Sequence, residues 1–262
     1  MSSQAHYMNH KLNKPNQKKK FIMKSDLNQY LQDNQADALW ITGPAQHNPA
    51  MVYLTGGGHM TQADVILRAG ADPILCHAPM ERDEAAKTGL PTLNYSKYPL
   101  KDRLQAAKGD RLVAHALLYK SIFEELGLTH GKVILYGRTD AGKMFSTVNQ
   151  LQEMLPGLSF HGDMEDAILL QAMATKEPAE IERIRAMGKI VVEVVSRVAE
   201  FLSNHLVVYE LLMKDDGVPL MIGDVKAQIN LWLAELGAEN PEDTIFAIGR
   251  DAGVPHSSGT PT

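Results

Sequence analysis

Thr175-Lys176-Glu177-Pro178-Ala179-Glu180-Ile181-Glu182-Arg183-Ile184-Arg185 divides the chain into two differently built parts. Pro178 is tolerated only in the first turn of a helix, where its missing N–H has no intrahelical partner to lose. Beyond it, Ile181, Ile184, Gly188, Val191, Val195, Val198 and Leu202 recur at steps of three and four. That spacing predicts one long amphipathic helix. A second helix is expected over 225–236, ended by Gly237, and then a strand at Thr244-Ile245-Phe246-Ala247-Ile248.

Upstream of this stretch the pattern alternates between short apolar strands and helices. Ser25 is placed to cap a first helix, with Leu27, Tyr30 and Leu31 on one face. Ala38-Leu39-Trp40-Ile41-Thr42 reads as a strand closed by Gly43-Pro44, and Val52-Tyr53-Leu54-Thr55 runs into Gly56-Gly57-Gly58. Strands at 63–67 and 73–76 flank a hairpin turn. Helices are expected at 79–88, across 100–126 and at 140–155, with strands at 133–136 and 158–160. This mixture predicts a layered α/β domain. The change of character after His161-Gly162-Asp163 places a boundary near 162, giving segments 1–22, 23–162 and 163–262.

The chain has 262 residues, 44% hydrophobic and 22% charged, enough apolar material for one large core or two smaller ones. Its net charge is −5. Lys11, Lys14, Lys18, Lys19 and Lys20 all lie in residues 1–22, which contain no acid. The remainder is therefore more acidic than the whole, which argues against nucleic-acid binding through a general field. The basic tail has neither the apolar core of a signal peptide nor amphipathic spacing. It reads as disordered, with Met23-Lys24-Ser25-Asp26-Leu27 resembling a natural protein start. His6 and His10 lack a third ligand nearby. With a single cysteine, Cys76, no internal disulfide can form; a cytoplasmic compartment and a buried, inert thiol are expected. No apolar run reaches the ~18 residues of a membrane span.

Four segments invite a chemical reading. Gly137-Arg138-Thr139-Asp140-Ala141-Gly142-Lys143-Met144 has the strand-to-helix setting of a phosphate-cradling loop. Met144 stands where that loop needs a hydroxyl for Mg²⁺, and a thioether does not bind a hard cation, so an ordinary strand-turn-helix is expected. Gly56-Gly57-Gly58-His59 reads as a turn, and Asp215-Asp216 as a solvated polar loop. His256 differs, because Pro255 fixes the backbone just before an imidazole in a glycine-rich segment that follows a strand. Such a histidine suits a positioned donor or acid–base group.

Two of these stretches carry a resemblance. Residues 176–185 match the linker-to-helix pattern K-x-x-x-E-I-x-x-I-R of the creatinase / Xaa-Pro aminopeptidase (M24 metallopeptidase) family. Residues 244–256 are similar to that family's F-x-x-I-x-x-G-x-N-x-A-x-P-H segment. Asp251 stands where Asn is usual, Gly253 where Ala is usual, and Met173 where Arg commonly precedes the linker lysine. The resemblance implies a creatinase-type N-terminal α/β domain followed by an incomplete α+β pita-bread catalytic domain. It further implies hydrolysis of the bond before proline by water bridging two divalent ions (Mn, Co or Zn), and in some relatives a homodimer. His256 takes the place of the histidine that donates to substrate or tetrahedral intermediate. The family's ligands, two Asp, one His and two Glu, all follow that histidine, so the chain as written is expected to hold no metal and to be inactive alone. A creatine amidinohydrolase-like enzyme and a non-catalytic binding module are the rival readings on the same fold.

Overall fold

The computed structural model describes residues 26–260. The basic tail, Met23, Ser25 and the His6–His10 pair lie outside the described residues. Two compact units divide between Thr175 and Lys176.

The first unit is built on a six-stranded mixed sheet. Its strands are β1 (Ala38–Gly43), β2 (Ala63–Arg68), β3 (Ile74–His77), β4 (Thr92–Asn94), β5 (Gly131–Gly137) and β6 (Leu158–Gly162), in spatial order β4-β3-β2-β1-β5-β6. β2 runs antiparallel to both neighbours, the expected hairpin forming between it and β3; β1, β5 and β6 are mutually parallel. Successive side chains of a strand point to opposite faces. Leu39 and Ile41 of β1 therefore enter one core, while Ala38 and Trp40 enter the other. The first core is covered by α1 (Asp26–Asp33), α2 (Pro49–Thr55), α3 (Arg82–Lys87) and α7 (Ala167–Ala174). The second is covered by α5 (Arg111–Glu125) and α6 (Ala141–Met154), where Trp40 meets Phe123 edge-on at 5.3 Å. A short α4 (Leu100–Ala106) precedes α5. Helices on both faces of the sheet give the α/β architecture.

The helix expected across 100–126 is two helices. Lys108 and Gly109 adopt left-handed backbone (φ 51° and 88°) between α4 and α5, which ends one helix, and Asp110 caps the next by accepting from Leu112 and Val113 N–H. The apolar run ending at Thr55 closes α2, whose N-cap Asn48 accepts from Met51 N–H.

One polar group lies inside the second core. Asp64 of β2 is fully buried; its Oδ1 accepts from Trp40 Nε1 at 2.8 Å, and its Oδ2 accepts from the hydroxyls of Tyr95 and Tyr119, the latter at 3.2 Å. Burial pushes this carboxyl up, and the donors from Tyr95, Thr42, Trp40 and Tyr119 pull it partly back. Cys76 is buried nearby, and desolvation together with Asp64 pushes its thiol well up, the inert state expected of it.

The second unit contains α8 (Pro178–Ser203), a hairpin of β7 (Leu206–Val208) and β8 (Leu211–Met213), and α9 (Ile222–Glu235). Pro178 sits in the first turn of α8, where Glu180 accepts from Glu177 N–H in a capping box. The strand expected at 244–248 does not form. No described strand pairs with it, and its one ladder-like contact is Phe246 N–H to Ser258 O at 3.4 Å, so a β-prone sequence stays irregular without a partner. No helix among the described residues is long and apolar enough to cross a membrane.

Two consequences are measurable. Gly137 has φ 115°, and a Cβ there would lie 2.0 Å from Thr42 O, so Gly137→Ala must push β5 away from β1. It is expected to cost at least about 2 kcal/mol in urea unfolding. The His115 imidazole, on α5, is depressed to about 4 from its ordinary 6.5 by burial first, then by Lys143 and Arg103. Between these values the unfolded chain binds a proton that the folded chain refuses. The stability is therefore complete above 6.5 and is lost as pH falls toward 4. His115→Gln should flatten that part of the melting-temperature profile relative to wild type.

Candidate functional site

In the first unit, the parallel strands β1, β5 and β6 end together at Gly43, Gly137 and Gly162, and the chain opens there into a cleft of about 420 Å³. This is the sheet edge at which α/β folds place their ligands. Gly43 and Gly137 allow it: Arg138 N–H donates to Thr42 O at 3.1 Å, an approach that side chains at either glycine would block. Asn48 closes the near wall, donating to Thr42 O at 3.1 Å. On the far side, Tyr136 O–H donates to Asp163 Oδ2 at 2.5 Å, while Asp163 Oδ1 accepts from Glu165 N–H. Burial pushes the Asp163 carboxyl up, but the Tyr136 hydroxyl and the N–H groups opening α7 outweigh it and hold the group below its ordinary range. Tyr136 is pushed up by burial and by Asp163. Arg138 and Asp166 stand exposed on the rim; Leu169 and Met173 of α7 supply an apolar wall. α7 itself is pinned by Tyr53 O–H donating to Ala172 O at 3.0 Å.

The phosphate-loop-like segment contributes only Gly137 and Arg138 to this cleft. Its Asp140 caps α6, accepting from Lys143 N–H at 2.7 Å. The carboxylate occupies the helix end that a phosphate would need, which accounts for an ordinary strand-turn-helix. Gly56 ends α2 with left-handed backbone, and His59 Nδ1 pairs with Gln46 Nε2 at 2.9 Å. Asp215 and Asp216 lie in a turn in which Asp216 accepts from Val218 N–H.

In the second unit His256 is exposed, with left-handed backbone (φ 64°), directly after Pro255 and a short 3₁₀ turn at Asp251–Gly253. Ser257 N–H donates to Val254 O at 3.1 Å beneath it, and Asp251 accepts from Thr260 N–H at 2.9 Å. A separate groove of about 450 Å³ lies between α8 and α9, lined by Met187, Val191, Val195, Ile229, Leu233 and Phe246. Among the described residues, no three His, Cys, Asp or Glu side chains converge in a way that could hold a metal ion, so no step through a metal is derived from this chain.

Asp64, Asp163 and Asp166 were not distinguishable as partners from sequence. The available signal was Asp64 as a lone charge within Ala63-Asp64-Val65-Ile66-Leu67, since an ionisable group inside a buried strand must find donors.

Neither a protein-family profile nor a curated protein sequence matches the chain. Solved structures do. The prolidase of Pyrococcus horikoshii OT3 aligns at a TM-score of 0.58 and 16% identity, over 91% of this chain and 56% of its own. The X-Pro aminopeptidase of Thermotoga maritima MSB8 gives 0.58 and 14%, over 89% and 56%. The prolidase of Thermococcus sibiricus gives 0.55 and 13%, over 85% and 51%. The chain thus spans a little over half the length of these three structures. Across nearly all of its own length, it has the fold of these Xaa-Pro peptidases.

Proposed function

We propose that this polypeptide is part of a proline-directed metallopeptidase, cytoplasmic, acting on Xaa-Pro peptides. In this reading residues 23–162 form the creatinase-type N-terminal domain, and residues 163–262 open the pita-bread catalytic domain. The observation that supports it most is the likeness to prolidase over 91% of the chain, combined with the Pro255-His256 ending of the segment after α9.

In such an enzyme two divalent ions would supply the chemistry of an activated hydrolytic water, by lowering its pKa. Among the described residues no side chains converge to hold them, and the contribution proposed for this part of the protein is His256. An imidazole N–H aimed at the carbonyl oxygen before proline stabilises negative charge that develops only in the transition state. His256 has left-handed backbone and directly follows Pro255, whose own φ is fixed by its ring.

Reading the gene past codon 262 tests this. A frame that continues with two Asp, one His and two Glu in that order is expected. In a protein so extended, His256→Ala should lower kcat on Xaa-Pro dipeptides at least about 100-fold with little change in KM. The purified 262-residue chain should cleave neither Xaa-Pro peptides nor creatine, with or without Mn²⁺. Robust Xaa-Pro hydrolysis by that chain, or creatine hydrolysis by the extended one, would refute the reading.

A further inference from the structure

The cleft at the carboxyl ends of β1, β5 and β6 is not used by the proposed chemistry, which resides with His256. Its lining is selective. Arg138 stands one residue past the end of β5, and Asp163 one residue past the end of β6. These strands are neighbours, and neighbouring strands lie about 4.8 Å apart. In the β5–β6 register Gly162 pairs with Leu135, so Asp163 falls opposite Tyr136 and Arg138 lies two positions further along β5; both charges line the cleft, together with Asp166 before α7, without being directly opposed. Among the described residues, nonetheless, Arg138 forms no ion pair with either acid, and the Asp166 carboxylate has no hydrogen-bond partner. Asp163 is committed to Tyr136 and to backbone N–H groups, which fixes it as an anion that cannot swing away.

These features exclude several ligand classes. Two carboxylates on the rim repel a phosphate or any polyanion, and one guanidinium is too little to hold it. A bare metal ion finds no converging ligand set. A purely apolar ligand would strand Arg138 against it without a partner. A small zwitterion satisfies every group, with its carboxylate on the Arg138 fork, its ammonium on Asp166 and Asp163, and an apolar side chain against Leu169 and Met173. The volume of about 420 Å³ has room for roughly one or two amino-acid residues.

We propose that this cleft binds a free amino acid or dipeptide with an apolar side chain through both of its charged ends. The proposal is independent of any peptidase activity, because it concerns binding by the first unit and requires neither His256 nor a metal.

Calorimetric titration of the 262-residue chain with L-leucine, L-proline and Leu-Pro tests it, alongside N-acetylleucine and leucinamide. Saturable binding of at least one free zwitterion is expected. Capping either end should weaken it at least about tenfold, the loss of one charge-assisted hydrogen-bonded pair. Arg138→Gln and Asp166→Asn should each weaken it similarly. Both side chains are exposed, so their variants should melt at the wild-type temperature, and the capped ligands require no variant at all. Absence of saturable binding at about 10 mM, equal binding of the capped forms, or affinity unchanged by both substitutions would overturn the proposal.

Discussion

The buried carboxylate of Asp64 is the constraint around which the first unit is arranged. Removing a carboxylate from water costs several kcal/mol unless donors replace its hydration. Here the donors come from three separate places: Trp40 on β1, Tyr95 just after β4, and Tyr119 on α5. Each must arrive in register for the group to be satisfied, so one polar site ties the sheet, its edge and its covering helix into a single arrangement. Tilting α5 or sliding β4 would strand an anion in an apolar layer. Hydrophobic burial alone, being non-directional, would tolerate several such packings.

Asp64 pairs with Thr42 in the β1–β2 register, and that same end of the sheet is built by close approach. Because Gly43 and Gly137 have no side chains, the backbone of β5 can continue to hydrogen-bond to Thr42 past the regular ladder. That extra bond holds the Arg138 backbone at the sheet edge, with its side chain exposed on the rim of the cleft. The neighbouring helix end is already closed, because Asp140 caps α6 with its own carboxylate. The result is a cleft whose charge comes from side chains at strand ends, and in which the helix dipole of α6 has no part.

Most elements of the first unit were legible because strands and helices there carry unambiguous periods. The two residue sets of β1 separate cleanly into two cores, and Gly127 follows the end of α5 with left-handed backbone. The break at Lys108-Gly109 was lost because the apolar spacing of α4 and α5 runs nearly in phase across it, and only the glycine signals the stop. The strand expected at 244–248 was misjudged for a different reason. Strand formation depends on a neighbour, and sequence composition reports only the propensity. The cleft was half legible. Arg138 lay inside a segment read as an ordinary strand-turn-helix, whereas Asp163 and Asp166 joined it only through the β5–β6 register, which no local pattern encodes.

The second unit is held by far less. Its buried core consists of Val194, Val225 and Ile229 with partly covered neighbours. The stripe that made α8 recognisable stays largely open, with Ile184 56% and Val195 62% exposed. Apolar surface left in water forfeits about 25 cal/mol per Å² of stabilisation, so a 26-residue helix with one buried side chain is weakly anchored. His256 belongs to this unit, on an exposed turn with one backbone hydrogen bond beneath it. A group that stabilises a transition state must be held to within about half an ångström. The exposed turn at Pro255 does not by itself supply that rigidity. The histidine by itself is therefore not a site, and the weak anchoring of this unit is the physical limit on any role for it.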